Sequence, residues 1–213
     1  MVKKLFAEFL GTFTLIFLGA GSIVAGKADL QGIAFAHGLA IFVMVSAFAG
    51  ISGSHFNPAV SVALFATGRL GITELIYFAI VQLAGAVTAS LLLKTIFGSE
   101  NGYGLPALAT EISSSSGALA EAIGTALLVL VIFGVAVDKR GPFASVSGLP
   151  IGLTISAIIF TIGPATGAAL NPARWFGPAL ISGDFSNIWL YIFAPIIGAV
   201  LAGYMYQLVA KPE

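Results

Sequence analysis

The chain has 213 residues, of which 58% are hydrophobic and only 8% are charged. A water-soluble domain typically carries about 25% charged residues, so this composition predicts an integral membrane protein in contact with lipid. Nine basic residues balance nine acidic ones, so net charge gives no attraction to nucleic acid, and we expect no such partner. Cysteine is absent, which excludes disulfides, thiol catalysis and cysteine-bound metals.

Six apolar segments are long enough to cross a bilayer as helices. A hydrocarbon core of about 30 Å requires roughly 20 helical residues at 1.5 Å each. In chain order, the segments are residues 4 to 26, 32 to 51, 72 to 97, 117 to 138, 143 to 163 and 187 to 209. The pattern predicts an all-α membrane protein with six transmembrane helices.

Basic residues in the short connections predict the orientation, because Lys and Arg near span ends favour the cytoplasm. We expect both termini in the cytoplasm and the protein in the cell membrane. With that orientation the cytoplasmic basic residues are Lys3, Lys4, Arg69, Lys139, Arg140 and Lys211. The longest connection, residues 98 to 117, then lies outside, and its Gly and Ser content predicts an irregular loop that includes the SSSS run at 113 to 116.

The chain repeats itself. The stretch AEFLGTFTLIFLG is similar to AEAIGTALLVLVI, so Glu8 corresponds to Glu121, 113 positions later. HFNPAV is similar to ALNPAR and pairs Asn57 with Asn171 at an offset of 114. Each copy contains three spans, and an odd number inverts the second copy relative to the first. We expect a single membrane domain over residues 1–213, with inverted repeats at about 1–98 and 117–213 joined by the outer loop 99–116.

A short apolar segment lies between the second and third spans of each copy, at residues 58 to 67 and 172 to 181. Ten helical residues cover about 15 Å, so two such half helices entering from opposite faces form one crossing. Asparagine is a favoured N-cap and proline suits the first helical position, so each NP pair predicts a helix start near the midplane. The residues at the two starts are Asn57, Pro58, Ala59, Asn171, Pro172 and Ala173.

The loops before the half helices contain unpaired carbonyl groups, which a membrane tolerates only where protein buries them or water reaches them. We therefore predict a narrow water-filled path with asparagine donors at its centre and backbone acceptors along it. Such a lining wets a pore without binding its contents tightly. The residues expected to provide the acceptors are Gly53, Ser54, His55, Gly167 and Ala169.

The paired NPA motifs, the arginine directly after the second one, the AEFLGT first span and the inverted halves resemble the aquaporin (major intrinsic protein) family. The stretch FGPALISGDFSNIWLY is most similar to tonoplast-type members. The resemblance implies two re-entrant half helices, no cofactor, and a homotetramer with one pore in each subunit. It also implies a selectivity filter at the outer mouth, formed by His37, Ile159, Ala168 and Arg174.

This filter combination, seen among tonoplast-type channels, implies conduction of water and of small neutral solutes such as ammonia or urea. Trp175 departs from the family, because glycerol channels carry an acidic residue there and water channels a small polar one. Tyr191 fits a water channel whereas Ile192 does not, so a glycerol, small-polyol or metalloid facilitator of the same family stays open. A proton-coupled secondary transporter is the more distant alternative.

Each polar residue in the spans also has a structural interpretation. Arg174 is expected to donate hydrogen bonds to solutes and to repel cations rather than to snorkel to the interface. His37 is expected to line the pore, while His55 is as compatible with packing as with the pore. Glu8 and Glu121 could relay protons in a transporter, but their equivalence favours acceptors that brace the two NPA loops. No catalytic or metal-spaced set of residues occurs, so we expect neither an enzyme nor a metal site.

Overall fold

The computed structural model describes residues 1–98, 100–138, 140 and 146–210. Six of its helices are long and apolar enough to cross a membrane, in agreement with the six predicted spans. Two shorter helices lie among them. In chain order the helices are α1 (Val2–Val24), α2 (Leu30–Ser52), α3 (Pro58–Ala66), α4 (Ile72–Phe97), α5 (Ser114–Val137), α6 (Gly148–Thr166), α7 (Pro172–Ser182) and α8 (Ile188–Val209).

The short helices α3 and α7 begin at the two NP pairs because each asparagine caps its helix. Asn57 has extended backbone, with φ −157°, and its Oδ1 accepts from Ala59 N at 2.8 Å. Asn171 has φ −154°, and its Oδ1 accepts from Ala173 N at 2.9 Å. Proline occupies the first turn of both helices, where its missing N–H costs nothing. The observed ends, Ala66 and Ser182, are each one residue from the predicted ones.

Small residues allow the long helices to approach closely. A Cβ added at Gly85 of α4 would lie 2.5 Å from Phe9 O of α1. At the corresponding contact of the second half, a Cβ on Gly198 of α8 would overlap Ala122 O of α5. Since association in lipid depends on packing rather than on the hydrophobic effect, these glycines bring the backbones of paired helices together.

Two helices contain a π-helical segment. In α1 it covers Leu15–Ala20, and in α5 it covers Phe133–Val137 at the end of the helix. A π turn has wider hydrogen bonding than an α turn and changes the face that the following residues present. The apolar pattern of the sequence does not predict either π-helical segment.

Three predictions about boundaries need correction. The SSSS run is helical rather than loop: Ser113 is the N-cap of α5, and its Oγ accepts from Ser116 N at 3.1 Å. The fifth predicted span, residues 143 to 163, corresponds to α6, which starts at Gly148 and continues through Pro164 to Thr166. Residues 143–145 of that predicted span lie outside the described residues. The long connection is also not wholly irregular, because Glu100–Gly104 forms a tight turn of left-handed residues.

Candidate functional site

A cavity of about 440 Å³ runs through the helices along the tips of α3 and α7. At one end its lining includes Lys4, Arg69 and Glu74. Asn57 and Asn171 line its middle. All four residues predicted for the filter line it together at the other end, namely His37, Ile159, Ala168 and Arg174.

The loop before α3 is held by Glu8, which is completely buried. Its Oε1 accepts from Ser52 Oγ at 2.7 Å and from His55 N at 2.9 Å. Its Oε2 accepts from Phe56 N at 2.6 Å and from Gln82 Nε2 at 2.8 Å. One carboxylate therefore satisfies two backbone donors and two side chains, which is a structural task rather than a free ionisable group facing the cavity.

Glu121 holds the loop before α7 in the same way. Its Oε1 accepts from Thr166 Oγ1 at 2.7 Å and from Ala169 N at 2.9 Å, and its Oε2 accepts from Leu170 N at 2.7 Å. Ala168 and Leu170 have left-handed backbone, with φ 44° and 55°. Such a conformation costs about 1 to 3 kcal/mol per non-glycine residue, and the three bonds to one carboxylate stabilise it.

The tips of the half helices contact each other through their asparagines. Asn57 Nδ2 donates to Leu170 O and Asn171 Nδ2 donates to Phe56 O, both at 2.9 Å. Each side-chain amide carries two N–H groups and uses one in this exchange. The second N–H of each asparagine is available to the contents of the cavity.

Arg174 is 2% exposed and is fixed by two acceptors. Its Nε donates to His37 Nε2 at 3.1 Å, and its Nη1 donates to Gly104 O at 2.8 Å. His37 Nδ1 lies 2.8 Å from Ile33 O. A carbonyl only accepts and a guanidinium only donates, so the imidazole is neutral with its proton on Nδ1. Other guanidinium N–H groups are available to a molecule in the cavity.

The Major intrinsic protein family matches residues 1–206 of this chain. The chain belongs to that family. It is 39% identical over its whole length to the Glycerol uptake facilitator protein-like 6 of Lactiplantibacillus plantarum, whose whole length is also covered. It is 39% identical to the Probable aquaporin TIP3-2 of Arabidopsis thaliana, covering all of this chain and 85% of that one.

Among solved structures, the aquaglyceroporin from Plasmodium falciparum superposes with a TM-score of 0.89 at 28% identity, covering 99% of this chain and 97% of the other. The predicted aquaporin-like fold is thereby confirmed. This major intrinsic protein is a passive channel for water and small solutes and not an enzyme.

The sequence-based site residues of this channel fall into two groups. Of the five residues expected to provide backbone acceptors, Gly53, Ser54, His55 and Ala169 are among those that line the cavity. Gly167 is the exception, because it forms the left-handed end of α6 and a Cβ there would lie 2.7 Å from Pro106 Cα, away from the lining residues.

Sequence analysis missed several hydrogen-bonding groups around the channel. Gly104 provides the second acceptor of Arg174 from a loop that was predicted to be irregular. Ser61 Oγ lies 3.0 Å from His55 Nδ1 and also accepts from Gln82 Nε2 at 3.2 Å. The position of Ser61 four residues after Asn57, one turn into α3, could have identified it.

Proposed function

We propose that this channel conducts water and small neutral solutes such as ammonia and urea, and that it excludes protons and ions. The observation that carries the proposal is a buried guanidinium, Arg174, at one end of a cavity that also contains the spare donors of Asn57 and Asn171. A charged group inside a membrane is costly, so a fixed one beside a polar path indicates a role in selection.

Exclusion of cations follows from positive charge at two places along the cavity, the filter and the tips of the half helices. Arg174 holds a full positive charge where the cavity passes His37. The first turns of α3 and α7 add roughly half a positive charge each near the middle of the path. A cation that loses part of its hydration shell there meets repulsion without a compensating carboxylate, since Glu8 and Glu121 are occupied by loop donors.

Exclusion of protons rests on the paired asparagines. A water molecule in the middle of the cavity accepts from the spare N–H groups of Asn57 and Asn171, which occupies its oxygen. Its hydrogens then point towards the two ends of the path, so neighbouring waters on either side are oriented in opposite directions. A proton cannot be relayed through a water whose oxygen has no free lone pair.

The solute range follows from the four filter residues. Arg174 donates hydrogen bonds, while Ile159 and Ala168 present apolar surface that does not hold a solute. The small Ala168 leaves room beside the guanidinium for a molecule larger than water. This lining supports ammonia and urea, which are small, neutral and able to accept hydrogen bonds.

Stopped-flow light scattering on proteoliposomes tests the proposal directly. Water, ammonia, urea and glycerol are compared with empty liposomes of the same lipid. We expect rapid flow of water and measurable flow of ammonia and urea, none of them saturating. Glycerol flow that exceeds urea flow would favour a glycerol facilitator, and uptake that saturates and follows a proton gradient would indicate a transporter.

We further propose a homotetramer in the cell membrane with both termini in the cytoplasm. The cavity is formed by residues of a single chain, which is compatible with one pore in each subunit. Mass measurement in detergent tests the assembly, and a mass of one subunit would contradict it. Membrane fractionation tests the location, and recovery with vacuolar membranes would contradict it.

A further inference from the structure

Two consecutive residues of α1 lie directly behind the two acceptors that hold Arg174. A Cβ added to Gly19 would lie 2.5 Å from Cδ2 and 2.8 Å from Nε2 of the His37 imidazole. A Cβ added to Gly104 would lie 2.9 Å from Ala20 O. His37 Nε2 and Gly104 O are the atoms that accept from the guanidinium. One turn of α1 therefore supports both of them.

That turn belongs to the π-helical segment Leu15–Ala20. Gly19 and Ala20 are both buried within it. π-helical turns are rare and frequently occur at functional sites, because the altered face repositions the residues that follow. In α1 the altered face presents a glycine to the imidazole and a small residue to the Gly104 loop.

The loop that carries Gly104 is attached to the same helix. Asn101 Nδ2 donates to Val24 O at 3.1 Å, one turn beyond the π-helical segment. Asn101, Gly102, Tyr103 and Gly104 are all left-handed, with φ 54°, 60°, 59° and 67°. Left-handed backbone is unfavourable for a residue with a Cβ, and Asn tolerates it best after Gly. The bond from Asn101 therefore stabilises a turn that would otherwise favour another conformation.

We propose that Gly19 and Asn101 are positioning residues that set the solute range of the filter. Gly19 determines how far the His37 imidazole stands from the cavity, and Asn101 holds the Gly104 carbonyl against Arg174. Neither residue is among those that line the cavity. The inference rests on the proposed function, because it assumes that Arg174 and His37 select solutes.

The two residues predict changes of opposite sign in the ratio of urea to water permeability. In Gly19→Ala the new methyl group displaces the His37 ring towards the cavity, so the ratio should fall about threefold or more, equivalent to about 0.7 kcal/mol or more. In Asn101→Gly the left-handed backbone is retained but the donor to Val24 O is lost. The Gly104 carbonyl then moves away from Arg174, and the ratio should rise about threefold, consistent with the loss of one hydrogen bond.

The test is stopped-flow measurement of both permeabilities on one proteoliposome preparation per variant, so that the ratio does not depend on the amount of folded channel. Asn101→Asp also lacks the donor but keeps a side chain of similar size, so agreement with Asn101→Gly shows that the lost donor, and not the lost side chain, is the cause. Gly21→Ala is the matched control, because Gly21 lies in the same helix as Gly19 and its Cβ would meet only the flexible end of Leu93 of α4, at 3.1 Å.

Unchanged ratios in both Gly19→Ala and Asn101→Gly, or shifts of the same sign, would overturn the inference. Arg174→Val measured alongside separates this failure from a failure of the proposed function. If Arg174→Val changes the ratio and the other two variants do not, only the positioning role is wrong. If Arg174→Val also leaves the ratio unchanged, the filter itself is wrong.

Discussion

The two halves of the channel share a frame and differ in what surrounds it. In both, a buried glutamate accepts from a hydroxyl at the end of a long helix and from two backbone N–H groups of the loop before a half helix. The first half adds Gln82, where the second half has Pro195. In both halves these bonds to the glutamate hold the loop before the half helix in place. The surrounding residues that differ between the halves can therefore give each half its own function.

The most informative differences lie in the first turns of the half helices. Val60 in the first half corresponds to Arg174 in the second, and Ser61 corresponds to Trp175. Ser61 contacts the His55 ring, whereas Trp175 is fully buried and stacks on Tyr191 with ring centroids 5.6 Å apart. The second half therefore replaces a polar contact with an aromatic stack and places its charge in the cavity. We propose that selectivity comes from this asymmetry.

The largest effect should come from changing the two glutamates to glutamine. Glu121→Gln places an amide donor against Leu170 N–H at the Oε2 position, where Glu121 has no side-chain partner among the described residues. Glu8→Gln should be milder, because Gln82 can rotate its amide and use Oε1, which has no hydrogen-bond partner among the described residues. The difference should be about 1 to 3 kcal/mol, the cost of one unpaired buried donor.

Thermal unfolding in detergent, together with water permeability, measures this difference. The double variant Glu8→Gln with Gln82→Met removes the compensating acceptor and should be about as unstable as Glu121→Gln. Equal unfolding temperatures for the two single variants would show that Gln82 does not distinguish the halves.

The next largest effect is expected from Arg174→Val, which places in the second half the valine found at the corresponding position of the first, Val60. Loss of the fixed charge should raise urea and ion flux relative to water by roughly tenfold, equivalent to about 1.4 kcal/mol. Val60→Ala, at the corresponding position of the cavity, is the control and should leave discrimination intact. Solute flux in proteoliposomes measures both, and an unaltered ratio in Arg174→Val would refute the role of the guanidinium.

A smaller effect is expected from Tyr191→Phe, which gives the second half the aromatic residue, Phe78, found in the first. The Tyr191 hydroxyl donates to Thr166 O at 2.8 Å in a buried site, so its removal should cost about 1 kcal/mol of unfolding free energy. Tyr204 also donates to a carbonyl, Ala66 O, but is 47% exposed. Tyr204→Phe should therefore change the unfolding temperature less, because its hydroxyl lies at the surface near the end of α8, where water or lipid headgroups can replace the lost bond. The opposite order would contradict the importance of the buried hydrogen bond from Tyr191 to Thr166 O.

The smallest effect concerns a contact outside the spans. Arg140 donates to Asp138 Oδ2 at 2.6 Å and holds the pKa of that carboxyl well below its ordinary value of 3.8. A depressed pKa in the folded state gives stability that is complete above about pH 4 and is lost as the pH falls towards the depressed value. Asp138→Asn should remove this acid-side loss and should lower the unfolding temperature slightly and evenly between pH 5 and 8, because the ion pair is missing there. A wild-type profile that varies across that range in an Asp138-dependent way would contradict the assignment.

Much of the frame could be predicted from the sequence, because it depends on local chemistry. Apolar length identified the six spans, and the asparagine–proline pairs located the starts of both half helices. The repeat identified Glu8 and Glu121 as equivalent. What could not be predicted depends on contacts between distant backbone groups: the carbonyl of Gly104 beside Arg174, the π-helical turn behind His37, and the left-handed turn that begins near Asn101. Backbone acceptors and π-helical turns leave no pattern of residue types to recognise.

The most direct test of the account compares water flow with proton flow through the wild-type channel. Proteoliposomes containing a pH-sensitive dye are subjected first to an osmotic gradient and then to a pH gradient. The paired asparagines and Arg174 predict water flow well above that of empty liposomes, with proton flow equal to theirs. Proton flow that rises in proportion to the amount of channel would contradict the interruption at Asn57 and Asn171.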